Sequence, residues 1–391
     1  MNCVIFGAGK IARGFIGHLL YLQNIPFVFV ERADALCDLI NERGQYTVNI
    51  LGAPEKNCVV RGARALKFSE EDEIVSAIAN ADAVFNAVGG KNLEQIIPFY
   101  VRGIEQRAKN GGGDINFITC ENWKQPADIL RRGIEAAISD DVKAFLQEHV
   151  GITEAVIMRS AIEADKELLA SDPLIVNVQD FWELPIDASR VKGELPPLPE
   201  IRAIHEFTGF LERKFYTYNA ANGTVSFLGA MLGYEKIADA AHDEWILSIL
   251  DGVYMETAQA LSKKHDFPLD EQLAFTLTSK RKLQDYTIVD FIERNARDPM
   301  RKLGPDDRLV GSARLAYSYG ILPENLCTAI AAAIFYYNEN DEFARQLKDL
   351  RTQKGVKYVI KNVCKLDPDG ELGCLILVKI DMLKAEGKLH E

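Results

Sequence analysis

Gly7, Gly9 and Ala12 fall in the order G-x-G-x-x-A, directly after the apolar run Asn2 to Phe6 and at the start of a helical pattern. Each has a job to do in a turn, Gly7-Ala8-Gly9-Lys10-Ile11-Ala12, that cradles a dinucleotide. Gly7 allows the tight turn, Gly9 lets backbone approach a pyrophosphate, and Ala12 lets the helix pack close to the strand with its N-terminus facing the phosphates. A second apolar run, Phe27 to Val30, ends at Glu31, where an acid is expected to bind the ribose hydroxyls and repel a 2′-phosphate. That favours NAD; Arg32 beside it leaves room for NADP. A second set of residues lies in ERKFYTYNAANG: Lys214, Asn219 and Asn222. On one continuous helix the two asparagines share a face and Lys214 points away from Asn219. They converge only where the chain bends, for instance if a new helix starts at Asn219, a favoured N-cap residue. The ordinary alternatives are a solvated lysine, a cap, and a turn at Asn222-Gly223. Arg301, Lys302 and Arg308 form a third, cationic set. Paired cationic donors suit a phosphate dianion, and Asp298, Asp306 and Asp307 offer the competing reading of salt bridges. Cys120 is expected to be a buried small residue rather than a nucleophile.

The elements that must position these residues alternate along the first half. Strand-like runs are Asn2 to Phe6, Phe27 to Val30, Ala83 to Val88, Asp114 to Thr119, Glu154 to Met158 and Leu174 to Glu183. Amphipathic stretches such as Glu71 to Ala81 and Leu93 to Lys109 lie between them. Alternation of this kind predicts an α/β fold with a parallel, doubly wound sheet of the Rossmann type, with ligands beyond the carboxyl ends of the strands. Val88, Gly89, Glu121 and Asn122 follow such ends and are site candidates. Three prolines within Glu194 to Glu200 break the pattern. Beyond them apolar spacing of three and four residues, from Ile201 to Tyr216 and from Asn222 to Leu261, predicts a mostly α-helical domain. The expected domains are 1–193 for nucleotide binding and 194–391 for substrate and catalysis, with the active site in the cleft between them.

Composition limits the partners. The 391 residues carry a net charge of -12, which argues against nucleic acid or an anionic membrane surface. An anionic metabolite in a local basic pocket is still compatible with it. Seven scattered cysteines without a CxxC pair suggest reduced thiols and the cytoplasm. No apolar stretch approaches the ~20 residues that cross a bilayer, the start does not read as a signal peptide, and the dispersed histidines support no metal site. No long heptad pattern suggests self-association.

Longer blocks carry a resemblance. FGAGKIARGFIG from Phe6, AVGGKNLEQIIP from Ala87, CEN from Cys120, ERKFYTYNAANG from Glu212, FLGAMLGYE from Phe227 and RDPMRKLGPDDRL from Arg297 resemble the polyol-specific long-chain dehydrogenases over nearly the full length. Within that family they are most similar to the mannitol-1-phosphate 5-dehydrogenases. The resemblance implies a monomeric, NAD-dependent enzyme that needs no metal. It makes Lys214 the acid–base group of hydride transfer, with a pKa lowered towards neutrality. Asn122 and Asn219 become donors to the developing alkoxide, and the expected pair is mannitol 1-phosphate and fructose 6-phosphate. Arg301, Lys302 and Arg308 would then hold the phosphate. Three positions depart from the family pattern. Asn222 stands where the family has a histidine, Met158 precedes Arg159 where an aspartate is usual, and Leu184 follows Glu183 where a tryptophan is common. Asparagine can hydrogen-bond like neutral imidazole but cannot carry a proton. An unphosphorylated polyol or hexuronate, or a nicotinamide-binding protein without catalysis, are the alternatives these departures open.

Overall fold

The computed structural model describes residues 1–162 and 164–389. The chain divides into two compact units, Met1–Phe207 and Thr208–Glu391. The strands, all in the first unit, are β1 (Cys3–Phe6), β2 (Phe27–Glu31), β3 (Gln45–Leu51), β4 (Cys58–Arg61), β5 (Ala65–Lys67), β6 (Ala83–Asn86), β7 (Ile115–Thr119), β8 (Val150–Glu154), β9 (Ala161–Ile162), β10 (Val176–Gln179), β11 (Leu184–Asp187) and β12 (Ile201–Ile204).

Among the described residues, six of these strands form one sheet in the order β5-β2-β1-β6-β7-β8, every pair parallel. The chain runs outward from β1 in one direction and returns to continue in the other, which makes the doubly wound arrangement. A parallel sheet of this kind is covered on both faces, so its strands are continuously apolar. In β1, Cys3 and Ile5 face one core cluster while Val4 and Phe6 face the other. Each such fully buried aliphatic or aromatic side chain contributes roughly 1.5–3 kcal/mol. Leu93–Lys109 is a helix over the expected range, and Glu71–Ala79 falls two residues short of it.

Three stretches differ from the expectation. The strand expected at Glu154 to Met158 is β8, which ends where that range begins. Val150 pairs with Ile115 and Glu154 with Thr119, while Ala155 already bridges to Ile186 outside the sheet. Of Leu174 to Glu183 only β10 is a strand, and it does not extend the six-stranded sheet. It joins a separate sheet of order β4-β3-β10-β9, where the alternation of Tyr46, Val48 and Ile50 turns one face of β3 inward. The helix holding the nucleotide turn packs on this sheet so closely that a Cβ on Gly14 would stand 2.6 Å from Val178 Cγ1. Ile201–Ile204, expected to be helical, is the strand β12, parallel to β11. The segment from 194 to 200 remains with the first unit: Asn116 Nδ2 donates to Lys192 O at 2.7 Å and Glu194 O at 3.3 Å, and Leu184 N donates to Glu200 O at 2.8 Å. The compact unit thus ends at Phe207, whereas the expected division fell after Gly193.

The second unit is helical among the described residues. Glu324–Phe335 (ENLCTAIAAAIF) is apolar nearly all round, which suits a helix at the centre of a core. Ala220–Met231, Glu244–His265 and Glu371–Ala385 pack about it. Asp243 caps the 22-residue helix Glu244–His265 by accepting from Ile246 N at 2.9 Å.

Candidate functional site

The turn after β1 has the geometry its residue types predict. Gly7 holds φ at +89°, and a Cβ there would lie 2.5 Å from Ala87 O, so both the conformation and the space demand glycine. Gly9 is exposed, with open space where a Cβ would be. The helix starts at Lys10 and widens into a π-turn over Ala12–Gly17, all of it buried. Inside that turn the Arg13 guanidinium donates back to Ala8 O.

Glu31 closes the turn from below. One carboxylate oxygen accepts from Ala8 N at 2.8 Å and the other from Ala33 N at 2.9 Å. A cleft beside it is lined by Gly7, Gly9, Glu31, Arg32, Val88 and Asn92. Arg32 Nη1 is occupied, donating to Gln95 Oε1 at 3.0 Å. A glycine-lined cleft with an acid at its floor fits a dinucleotide whose ribose carries free hydroxyls. Replacing Glu31 by serine should raise kcat/KM with NADP relative to NAD by about tenfold, ~1.4 kcal/mol of discrimination. Kinetics with both cofactors measure this, and an unchanged ratio would remove Glu31 from cofactor choice.

The loops after β6 and β7 are tied together. Glu121 accepts from Val88 N at 2.8 Å, from Gly89 N at 3.1 Å and from Asn86 Nδ2 at 3.2 Å. Burial raises its carboxyl pKa, and these three donors oppose the rise. Asn122 next to it is exposed, and Trp123 covers Gly90. Cys120 is buried and its thiol pKa is pushed far up by burial, so it is no nucleophile.

Lys214, Asn219 and Asn222 are carried by the second unit on one run of helix. Phe207–Lys214 passes without a break into a π-turn, Phe215–Asn219, and on into Ala220–Met231. No new helix begins at Asn219, whose φ of −77° and ψ of −32° are helical and whose side chain caps nothing. Asn222-Gly223 is likewise helix rather than turn. On regular α-geometry Asn219 would sit about 140° round from Lys214. A π-turn, hydrogen-bonded i→i+5, takes more residues per turn and brings the two towards one side. The bend that could bring them together thus lies inside the helix rather than at a new helix start.

A buried polar clamp holds this turn. Gln272 is fully buried; its Oε1 accepts from Arg213 Nε at 2.5 Å and its Nε2 donates to Thr217 Oγ1 at 2.9 Å. It thus grips the chain on both sides of Lys214. Lys214 itself is half-buried and has no hydrogen bond or ion pair among the described residues. Burial lowers its pKa, and the charge of Arg308 lowers it further. The stem of Arg308 lies over Gly223, where a Cβ would meet Arg308 Cδ at 3.0 Å. Lys282, from the helix Leu269–Leu283, is a further cation in range: burial and the charge of Lys214 lower it to about 8. Asn219 is half-buried without a side-chain partner among the described residues. Asn222 Nδ2 donates to Asn295 Oδ1 at 3.1 Å.

Gln272, Lys282 and Asn295 were not singled out from sequence. One signal was available: Gln272, Thr276 and Ser279 make an uncharged polar stripe at helical spacing, and all three are buried.

Two family models match this chain. One, described as the mannitol dehydrogenase Rossmann domain, matches residues 1–200. The other, the mannitol dehydrogenase C-terminal domain, matches residues 206–368. The chain belongs to the mannitol dehydrogenase family. It is accordingly a polyol dehydrogenase, with a Rossmann domain ahead of a mostly helical one. Solved structures of similar fold include a D-sorbitol dehydrogenase in substrate-free form, at 15% identity and a TM-score of 0.82, covering 99% of this chain and 93% of that one. The Pseudomonas fluorescens mannitol 2-dehydrogenase, in ternary complex with NAD and D-mannitol, is 14% identical with a TM-score of 0.69, covering 99% of this chain and 92% of that one.

In this member of the mannitol dehydrogenase family the cationic set is largely matched by acids. Arg301, half exposed, pairs with Asp298 and with Asp307, each at 3.1 Å. Arg308 pairs with Asp307 at 2.9 Å and is 12% exposed. Asp306 reaches Arg314 instead, at 3.5 Å. Lys302 is buried, donates to Arg297 O, and is lowered to about 8 by burial with Arg308 and Arg301 nearby. Met158 and Leu184, two of the departures from the family pattern, are both buried apolar side chains of the first unit. Among the described residues no helix is long and apolar enough to cross a membrane.

Proposed function

We propose that this chain is an NAD-dependent oxidoreductase interconverting a sugar-alcohol phosphate and a ketose phosphate, mannitol 1-phosphate and fructose 6-phosphate. The observation that carries the chemistry is Lys214: a half-buried amine with no hydrogen-bond or ion-pair partner among the described residues, a lowered pKa and the charge of Arg308 in reach. Those are the conditions under which lysine exchanges protons near neutral pH. The cofactor is NAD, held by the Gly7-to-Ala12 turn, Glu31, Val88 and Gly89; when bound it accepts hydride from the carbinol carbon. Lys214 Nζ takes the hydroxyl proton as the O–H bond breaks and returns it to oxygen in ketone reduction. The amide of Asn219 donates to that oxygen as negative charge develops, and the exposed Asn122 is proposed for the same role. One such donor is worth ~10²-fold or more.

Arg301, Lys302 and Arg308 support a phosphorylated substrate, since Arg308 lies within electrostatic reach of Lys214 and Lys302 is a cation held out of water. The carboxylates of Asp298 and Asp307 on the two arginines favour a second reading, an unphosphorylated polyol or hexuronate. NADH oxidation with fructose 6-phosphate, fructose and a hexuronate separates the two. A preference for fructose 6-phosphate of a hundredfold or more is expected, and equal use of fructose would overturn the phosphate assignment. The seven unpaired cysteines support a reducing, cytoplasmic setting, and the resemblance to the polyol-specific dehydrogenases supports a monomer.

A further inference from the structure

Asn222 is the first member of a short chain of amides whose polarity is set from its far end. Asn295 Nδ2 donates to Asp290 Oδ1 at 2.7 Å and to Phe291 O at 2.9 Å. A carboxylate and a backbone carbonyl only accept, so the NH₂ of Asn295 must face them. Its Oδ1 is thereby turned towards Asn222, which can answer only with its own NH₂, at 3.1 Å. The Oδ1 of Asn222 is left over. It has no hydrogen bond among the described residues and is not sealed from solvent.

The far end is well anchored. Arg294 pairs with Asp290 at 3.2 Å, and the charge of Asp290 also reaches Lys282. The backbone is pinned on either side, with Ile237 N donating to Asp290 O and Ile292 N to Glu235 O, both at 2.9 Å. At the near end, Asn222 shares a helix face with Asn219 three residues earlier. The acceptor therefore points out of the same stretch of helix that carries Lys214 and Asn219.

We propose that Asp290 and Asn295 are positioning residues that make Asn222 an obligate hydrogen-bond acceptor for one hydroxyl of the polyol. An acceptor held this way accepts from an alcohol and gains nothing from a keto or deoxy position, so it selects for a hydroxyl at that place in the substrate. This rests on the proposed site around Lys214.

The test is a set of monodeoxy analogues of whichever polyol or polyol phosphate the enzyme oxidises, run on the wild type and on Asn295→Leu. In the wild type one analogue should lose about tenfold or more in kcat/KM, the worth of one hydrogen bond to a group left unpaired. In Asn295→Leu that penalty should fall below threefold, chiefly through KM of the parent substrate, while the affinity for NADH is kept. A merely structural role for Asn295 would lower kcat/KM for parent and analogues alike, and an unchanged penalty would overturn the relay. If Asn295→Leu does not fold, the smaller Asn295→Ala likewise removes the Oδ1 that holds the NH₂ of Asn222; it should lower the same penalty, and no change there overturns the proposal too. A wild type that oxidises no polyol or polyol phosphate would overturn the site and the relay together, whereas a persistent penalty in an active variant sinks the relay alone.

Discussion

Replacing Lys214 by alanine lowers turnover about a thousandfold, within the 10²–10⁴ that a positioned acid–base group supplies, and leaves NADH binding unchanged. The cofactor turn belongs to the first unit and the lysine to the second, so binding and chemistry separate cleanly in this variant. Burial and Arg308 both disfavour the ammonium form of Lys214. The free amine therefore accumulates as pH rises through a pKa below that of an ordinary lysine. Polyol oxidation, which needs the amine, climbs along that limb, and ketone reduction, which needs the ammonium, declines over it. The alanine enzyme should lose both limbs. For stability the sign is opposite to that of a salt-bridged lysine. Between the lowered pKa and the ordinary one the unfolded chain binds more protons, so stability rises with pH across that window. Removing Lys214 relieves the cost of burying a cation, and the variant should melt no lower than the wild type at neutral pH. Stopped-flow turnover, NADH titration and thermal melts check the three statements together. Near-normal turnover would remove Lys214 from the mechanism.

What could be seen in the chain beforehand depended on how local its cause was. The turn from Gly7 to Glu31 was legible because backbone conformation, open space and a strand end are set within thirty residues. The helix Leu93–Lys109 was legible because its apolar period is regular. The second sheet was not, because β10 owes its place to β3, more than a hundred residues earlier, and an apolar run does not say which neighbour it will pair with. β12 is hidden in the sequence because a four-residue strand carries too little pattern to compete with the helical spacing that follows. The cationic block was readable as residues but not as a charge balance. Asp298, Asp306 and Asp307 all offer themselves as partners in the sequence; the structure engages Asp298 and Asp307 with the set and turns Asp306 to Arg314. The π-turn was invisible in principle to a reading that assumes 3.6 residues per turn. Lys214 and Asn219 look badly spaced on that assumption, and only the widened turn reconciles them.

Because the spacing depends on that turn, Gln272→Leu should act on catalysis from outside the site. Gln272 holds Arg213 on one side of Lys214 and Thr217 on the other, and nothing in the side chain of leucine replaces either bond. The hydroxyl of buried Thr217 and the Nε of half-buried Arg213 would lose their partner, while Arg213 Nη2 keeps Glu271 O, at about 1–3 kcal/mol for the loss. An α-turn would then compete with the π-turn and swing Lys214 away from Asn219. Misplacement of a reacting group by about 1 Å costs on the order of 10²-fold, so kcat should fall by about that factor. The loss should sit in kcat rather than in KM for NADH, and the pH limb assigned to Lys214 should move as its distance from Arg308 changes. Gln272→Glu is the control. Its carboxylate can accept from Arg213 and from the Thr217 hydroxyl, so the clamp survives and activity should stay within about threefold of wild type. If leucine and glutamate lowered kcat equally while both proteins stayed folded, Gln272 would matter only as polar bulk. If only leucine does so, the widened turn is what puts Lys214 to work.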